Sequence, residues 1–82
     1  MVIRAIVVED DDFTRLMITT ALQSQGLEIV LATPSPTDAL EQSLALKADL
    51  AILDLQLGKG PTGIDLAVAL RRLEPKIGIL ML

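Results

Sequence analysis

The 82-residue chain contains no cysteine and no histidine. Without cysteine there is neither a disulfide framework nor a thiolate metal site, which suits a reducing compartment and sets the expectation of a cytoplasmic protein. Without histidine, any metal must be held by oxygen donors, which favours hard ions such as Mg²⁺ over zinc. The same two absences exclude a Ser/His or Cys/His nucleophile pair. Aromatic rings are almost missing: Phe13 stands alone, so the core must be aliphatic, and no stacking surface for single-stranded bases can be assembled. Cationic residues are scarce too. Seven Lys and Arg face eleven acids, a net charge of −4, so no basic surface is on offer to a phosphate backbone. Finally, no apolar run approaches the ~20 residues that span a bilayer. The N-terminus, with one arginine, a short apolar run and then acids, is not a signal peptide.

What the chain does have is aliphatic bulk. Hydrophobic residues make up 51% and charged residues 22%, which excludes a disordered tail and gives one small domain. Four apolar runs, at 2–8, 28–32, 50–55 and 77–82, are nearly continuous in hydrophobicity. That pattern marks strands of a parallel sheet covered on both faces. Three segments of helical spacing lie between them. The first, over 12–25, places Phe13, Leu16, Met17, Ala21 and Leu22 on one expected buried face and ends at Gly26. The second opens with Ser35-Pro36-Thr37-Asp38, an N-cap with proline at the first helical position, and Ala39, Leu40, Ser43 and Leu44 form its expected stripe. The third opens with Thr62-Gly63-Ile64-Asp65 and is stopped by Pro75. The resulting β-α-β-α-β-α-β order demands right-handed crossovers and a doubly wound parallel sheet of the α/β class.

In open parallel sheets, chemistry gathers beyond the carboxyl ends of the strands. The first strand runs into Glu9-Asp10-Asp11-Asp12, and Asp54 interrupts the third. If those strands are neighbours, Glu9, Asp10 and Asp54 converge. Carboxylates so crowded resist ionising together unless a cation joins them. Mg²⁺ fits such a site, because it takes a few carboxylates and keeps other positions open to a phosphoryl oxygen beside a carboxylate nucleophile. The plainer reading of the acidic run is helix capping, expected of Asp11 or Asp12. Asp54 resists a merely structural reading, since an unpaired charge in an apolar strand costs several kcal/mol, roughly.

With these residues in hand, the chain resembles the receiver domain of two-component response regulators. Ile6-Val7-Val8-Glu9-Asp10-Asp11 is similar to the family's first strand and its paired metal-binding acids. Ala48 to Leu55 resembles the approach to the phosphoacceptor, and Gly60-Pro61-Thr62-Gly63-Ile64-Asp65-Leu66 resembles the entry to the third helix. The resemblance implies a flavodoxin-like strand order 2-1-3-4 and a role as phosphoacceptor, not as a turnover enzyme. It implies Asp54 as the phosphorylated nucleophile. It also implies Glu9, Asp10, Asp54 and the main-chain carbonyl of Gln56 as the Mg²⁺ ligands, and a sensor histidine kinase as phosphodonor. The family often carries proline four residues after the acceptor, where this chain has Gly58. On the family's pattern, residues 1–82 cover the N-terminal two-thirds of a receiver. The switch hydroxyl, the fifth strand with its lysine and the last two helices would then fall after Leu82, leaving a metal-binding but poor switch. The same expectation exposes 77–82 as an edge strand and favours self-association.

Three other readings compete. Gly58-Lys59-Gly60-Pro61-Thr62-Gly63 matches G-x-G-x-x-G letter for letter, a dinucleotide fingerprint. Against it, Asp54 stands nearby to repel phosphate, and the fourth strand offers no acid to a ribose. A phosphorylation-independent docking module of the same fold is the second. A phosphatase with an aspartate nucleophile is the third, disfavoured because Gln56 occupies the place of its second acid.

Overall fold

Four strands and three helices alternate: β1 Arg4–Val8, α1 Asp12–Ser24, β2 Glu28–Thr33, α2 Pro36–Leu46, β3 Leu50–Leu53, α3 Gly63–Leu73 and β4 Gly78–Met81. They come from a computed structural model that describes residues 1–57 and 62–82. The strands are parallel throughout, in the order β2-β1-β3-β4. This is the expected flavodoxin-like order, with β1 and β3 side by side at the centre. Among the described residues no helix is long and apolar enough to cross a membrane.

Alternation along the central strands divides the core between two faces. Ile6, Val8, Ala51 and Leu53 point to one side, where Ala39 of α2 and Leu66 and Leu70 of α3 close over them. Ala5, Val7 and Ile52 point to the other, where Ile18 and Leu22 of α1 pack. Both faces of β1 are therefore buried, as its unbroken apolar run requires. The outer strands β2 and β4 are only partly covered.

Helix boundaries follow local chemistry. Asp11 caps α1 by accepting from the Thr14 amide at 2.8 Å, and Gly26 follows its end with φ 89°, a conformation natural to glycine. Ser35 caps α2 by accepting from the Asp38 amide, with Pro36 as the first helical residue. Thr62 and Asp65 cap α3 reciprocally, a full capping box.

Three expectations need correction. The face of α1 turned to the sheet is not the one carrying Phe13, Leu16 and Met17, all of which are exposed, Phe13 at 68%. Arg15 donates to the Glu9 main-chain carbonyl at 2.8 Å and so turns its side of the helix toward the sheet. Ile18 and Leu22, three and seven residues on, then face inward. In α2 the stripe is likewise narrower, with Ala39 and Ser43 buried but Leu44 exposed. The third strand stops at Leu53, so Asp54 lies just past it instead of within it. Its carboxylate receives the Gln56 amide at 3.1 Å, a local turn that takes the chain off the sheet.

Candidate functional site

The rim formed by the ends of β1 and β3 holds the site. Val8 and Leu53 are register partners, so the next residues, Glu9 and Asp54, leave the sheet together. Their backbones are fixed by continuations of the ladder. The Asp54 amide donates to Val8 O at 3.0 Å and the Glu9 amide to Thr33 O at 3.1 Å. Glu9, Asp10 and Asp54 can each present a carboxylate oxygen within 4.8 Å of the other two. The structure thus brings together the three side chains singled out from sequence.

These groups differ in environment. Glu9 is only 7% exposed, Asp54 is half-buried and Asp10 is open to solvent. Glu9 Oε2 is buried with no hydrogen-bond partner among the described residues. Burial, joined by contact with the Asp54 and Asp10 carboxyls, raises the Glu9 pKa from 4.5 to about 7. A buried acceptor left without a donor is expensive, and a cation would satisfy it. A divalent ion with oxygen preference fits the donor set, since all three side chains are carboxylates.

The remaining acids of the run have other duties. Asp11 accepts from the Thr14 hydroxyl at 2.7 Å as well as from its amide, and these bonds hold its carboxyl below the usual range. Asp12 pairs with Arg15 at 2.6 Å. The four-acid stretch is therefore divided, two for the rim and two for the start of α1. Capping explains Asp11 and Asp12 and leaves Glu9 and Asp10 unexplained by structure alone. The two ion pairs of the described residues, Arg15–Asp12 and Arg4–Glu28, leave Asp54 without a cationic partner. Gln56 is exposed, with its amide turned to Asp54 Oδ1.

Gly63 is the residue whose importance sequence reading understated. It was legible only as a small residue at a helix entry. In the structure α3 starts hard against the backbone of Asp54. A Cβ at Gly63 would collide with the Asp54 carbonyl oxygen and lie 2.8 Å from the carbonyl carbon. The Gly63 amide also donates to Leu55 O at 3.2 Å. No positive φ is involved; the glycine is needed for space. Thr33 is a second such residue. Buried beside the rim, it receives the Glu9 amide on its carbonyl and the Ser35 amide on its hydroxyl. Of the glycine-rich stretch Gly58–Gly63, positions 58–61 lie outside the described residues, as does Lys59; only Thr62 and Gly63 are placed, and they open α3.

Comparison with known proteins adds the following. The family model described as response regulator receiver domain matches residues 5–82. No sequence among the curated proteins matches the chain. Among solved structures, the signal receiver domain of a modulated diguanylate cyclase from Desulfovibrio desulfuricans G20 superposes with TM-score 0.90 at 20% identity, covering 99% of this chain and 64% of that one. The response regulator domain of Thermotoga maritima CheB gives 0.87 at 26% identity, covering 99% and 60%. The CheX-CheY-BeF3-Mg complex from Borrelia burgdorferi gives 0.87 at 20% identity, covering 96% and 60%. The chain thus spans less than two-thirds of the length of each of these three structures.

Proposed function

The chain belongs to the response regulator receiver domain family, and from that membership we propose that Asp54 is its phosphoacceptor. The phosphodonor is the phosphohistidine of a sensor kinase. Glu9, Asp10, Asp54 and the main-chain carbonyl of Gln56 hold Mg²⁺. One observation carries this reading: three carboxylates converge at the β1/β3 rim, with a buried oxygen of Glu9 left without a partner.

The chemistry follows from the placement. Asp54 Oδ1 is occupied by the Gln56 amide, which leaves Oδ2 as the nucleophile. Oδ2 attacks phosphorus in line with the phosphorus–nitrogen bond. The bond to oxygen forms as the bond to nitrogen breaks, and the imidazole, protonated at its other nitrogen, leaves neutral. A bound Mg²⁺ would draw negative charge from the transferring oxygens. Glu9, with its backbone tied to Thr33, and Asp54, tied to Val8, keep their spacing through the step because neither backbone needs to move. Such a domain is regulatory. Beyond accepting the group, its own chemistry is limited to slow loss of phosphate to water.

The test is direct. Incubation with Mg²⁺ and a small phosphodonor such as acetyl phosphate is expected to add one phosphate in intact-mass spectra. Asp54→Asn should abolish the increment, and Glu9→Gln should reduce it steeply. A chain that stays unlabelled while an intact receiver control labels would replace this reading with the docking module.

A further inference from the structure

Arg15 stands at the end of the first turn of α1, and its guanidinium reaches back over the acidic run that precedes the helix. Nη1 donates to the Glu9 main-chain carbonyl at 2.8 Å and Nη2 to Asp12 Oδ1 at 2.6 Å. The residue is itself well anchored. Its amide donates to Asp11 O at 2.9 Å and its carbonyl accepts from the Thr19 hydroxyl at 2.7 Å. Its side chain, 19% exposed, lies in a recess bordered by Leu16, Thr19 and Ala32 of β2.

The two contacts are unequal. The Asp12 side chain is 90% exposed, and an ion pair so open to water contributes little by itself. The contact with the carbonyl is partly buried, and among the described residues Arg15 is the donor that meets this oxygen. Glu9 is therefore held through both backbone groups, its N–H by Thr33 O and its C=O by Arg15. The peptide joining Glu9 to Asp10 is trans and planar, so its C=O and N–H point opposite ways. A carbonyl drawn toward α1 turns the Asp10 N–H back to the rim. That donor bears on Glu9. Burial and the Asp54 and Asp10 carboxyls raise the Glu9 pKa, and the Asp10 main-chain N–H pulls against them.

We propose that Arg15 is a positioning residue of the acidic rim. By holding the Glu9 carbonyl it fixes the plane of the Glu9–Asp10 peptide, and with it the directions in which both carboxylates leave the backbone toward a divalent ion. The inference rests on the Mg²⁺ reading above and adds to it a residue outside the ligand set. A guanidinium suits the role, because it presents its N–H groups along fixed directions and stays charged. The same fork keeps Asp12 on the helix side, so the fourth acid of the run stays out of the rim.

Calorimetric Mg²⁺ titration, and labelling of Asp54 by acetyl phosphate over a series of Mg²⁺ concentrations, test this on the full chain. Arg15→Met keeps an apolar stem and loses both donors. It is expected to weaken Mg²⁺ binding by on the order of tenfold or more, as loss of a residue that orients a ligand does. The Mg²⁺ needed for half-maximal labelling should rise by the same factor, with the rate at saturating Mg²⁺ unchanged. Arg15→Lys, which keeps a donor for the carbonyl, should recover part of the loss, and it carries the test should Arg15→Met fail to fold. Asp12→Asn breaks the ion pair but spares the carbonyl contact, and should bind as the parent does. Ile18→Ala, which loosens α1 from the sheet away from the rim, should lower the urea midpoint and leave Mg²⁺ affinity in place. An equal loss of affinity in Ile18→Ala would reduce Arg15 to a fastener of the helix and overturn the inference. So would parental affinity in the Arg15 variants that fold, or a loss in Asp12→Asn as large as theirs. A parent that neither binds Mg²⁺ nor labels sinks the proposed phosphoacceptor as well, which separates the two failures.

Discussion

At the scale of single residues, the sharpest consequence belongs to Glu9. Its folded pKa is raised by burial, from 4.5 to about 7. A group raised in this way binds its proton more tightly when folded. Its contribution to stability is therefore complete below pH 4.5 and is lost as pH rises through about 7. Glu9→Gln mimics the protonated side chain. In metal-free buffer it is expected to melt higher than the parent at about pH 8 and level with it at about pH 5, as followed by circular dichroism. Mg²⁺ should compete with the same proton, so calorimetric affinity should rise between about pH 6 and pH 8. An affinity flat across that range would show that Glu9 is not a ligand. Gly63 gives a second prediction at this scale. Because a Cβ there collides with the Asp54 carbonyl, Gly63→Ala must push α3 or the Asp54 peptide aside. Overpacking of this kind costs about 1–3 kcal/mol. Phosphate incorporation at Asp54 should fall with it, whereas Gly78→Ala, whose new methyl would meet the Leu50 side chain at 3.3 Å, should spare the label.

At the scale of elements, what was legible in the sequence depended on how local its cause was. Caps and turns are decided within four residues, so Ser35, Pro36, Gly26 and the Thr62–Asp65 box could be read and stand where expected. The central strands could be read because nearly every residue in them is apolar. The direction in which α1 turns could not, because it carries two apolar stripes. The choice between them rests on Arg15 reaching back to the Glu9 carbonyl, a tertiary contact. Likewise, the convergence of Glu9 with Asp54 followed from strand order, but the need for a bare Cα at Gly63 is a matter of helix docking distance and leaves no periodic trace. The two stripes of α1 separate by mutation. Ile18→Ala and Leu22→Ala, which open space against Ala5, Val7 and Ile52, should each cost about 1–3 kcal/mol in urea unfolding. Phe13→Ser and Met17→Ser, on the exposed side, should stay within about 0.5 kcal/mol. The reverse order would return the helix to the orientation its sequence first suggests.

At the scale of the whole molecule, the strand order sets a gradient of protection. β1 and β3 are bonded on both sides and sealed by helices on both faces, whereas among the described residues β2 and β4 are each bonded on one side. Opening either outer strand breaks one ladder, while opening β1 or β3 breaks two and uncovers both cores. Amide exchange should therefore be slowest at Ile6, Val7, Ile52 and Leu53, limited by global unfolding, and faster in β2 and β4. Within β4 the strand alternation makes a finer distinction. Gly78 and Leu82 donate to β3 and should exchange only when the strand opens. Ile79 and Met81 turn their amides away from β3 and should exchange faster than Gly78 and Leu82. Equal exchange at all four amides would show that β4 does not hold this register on β3.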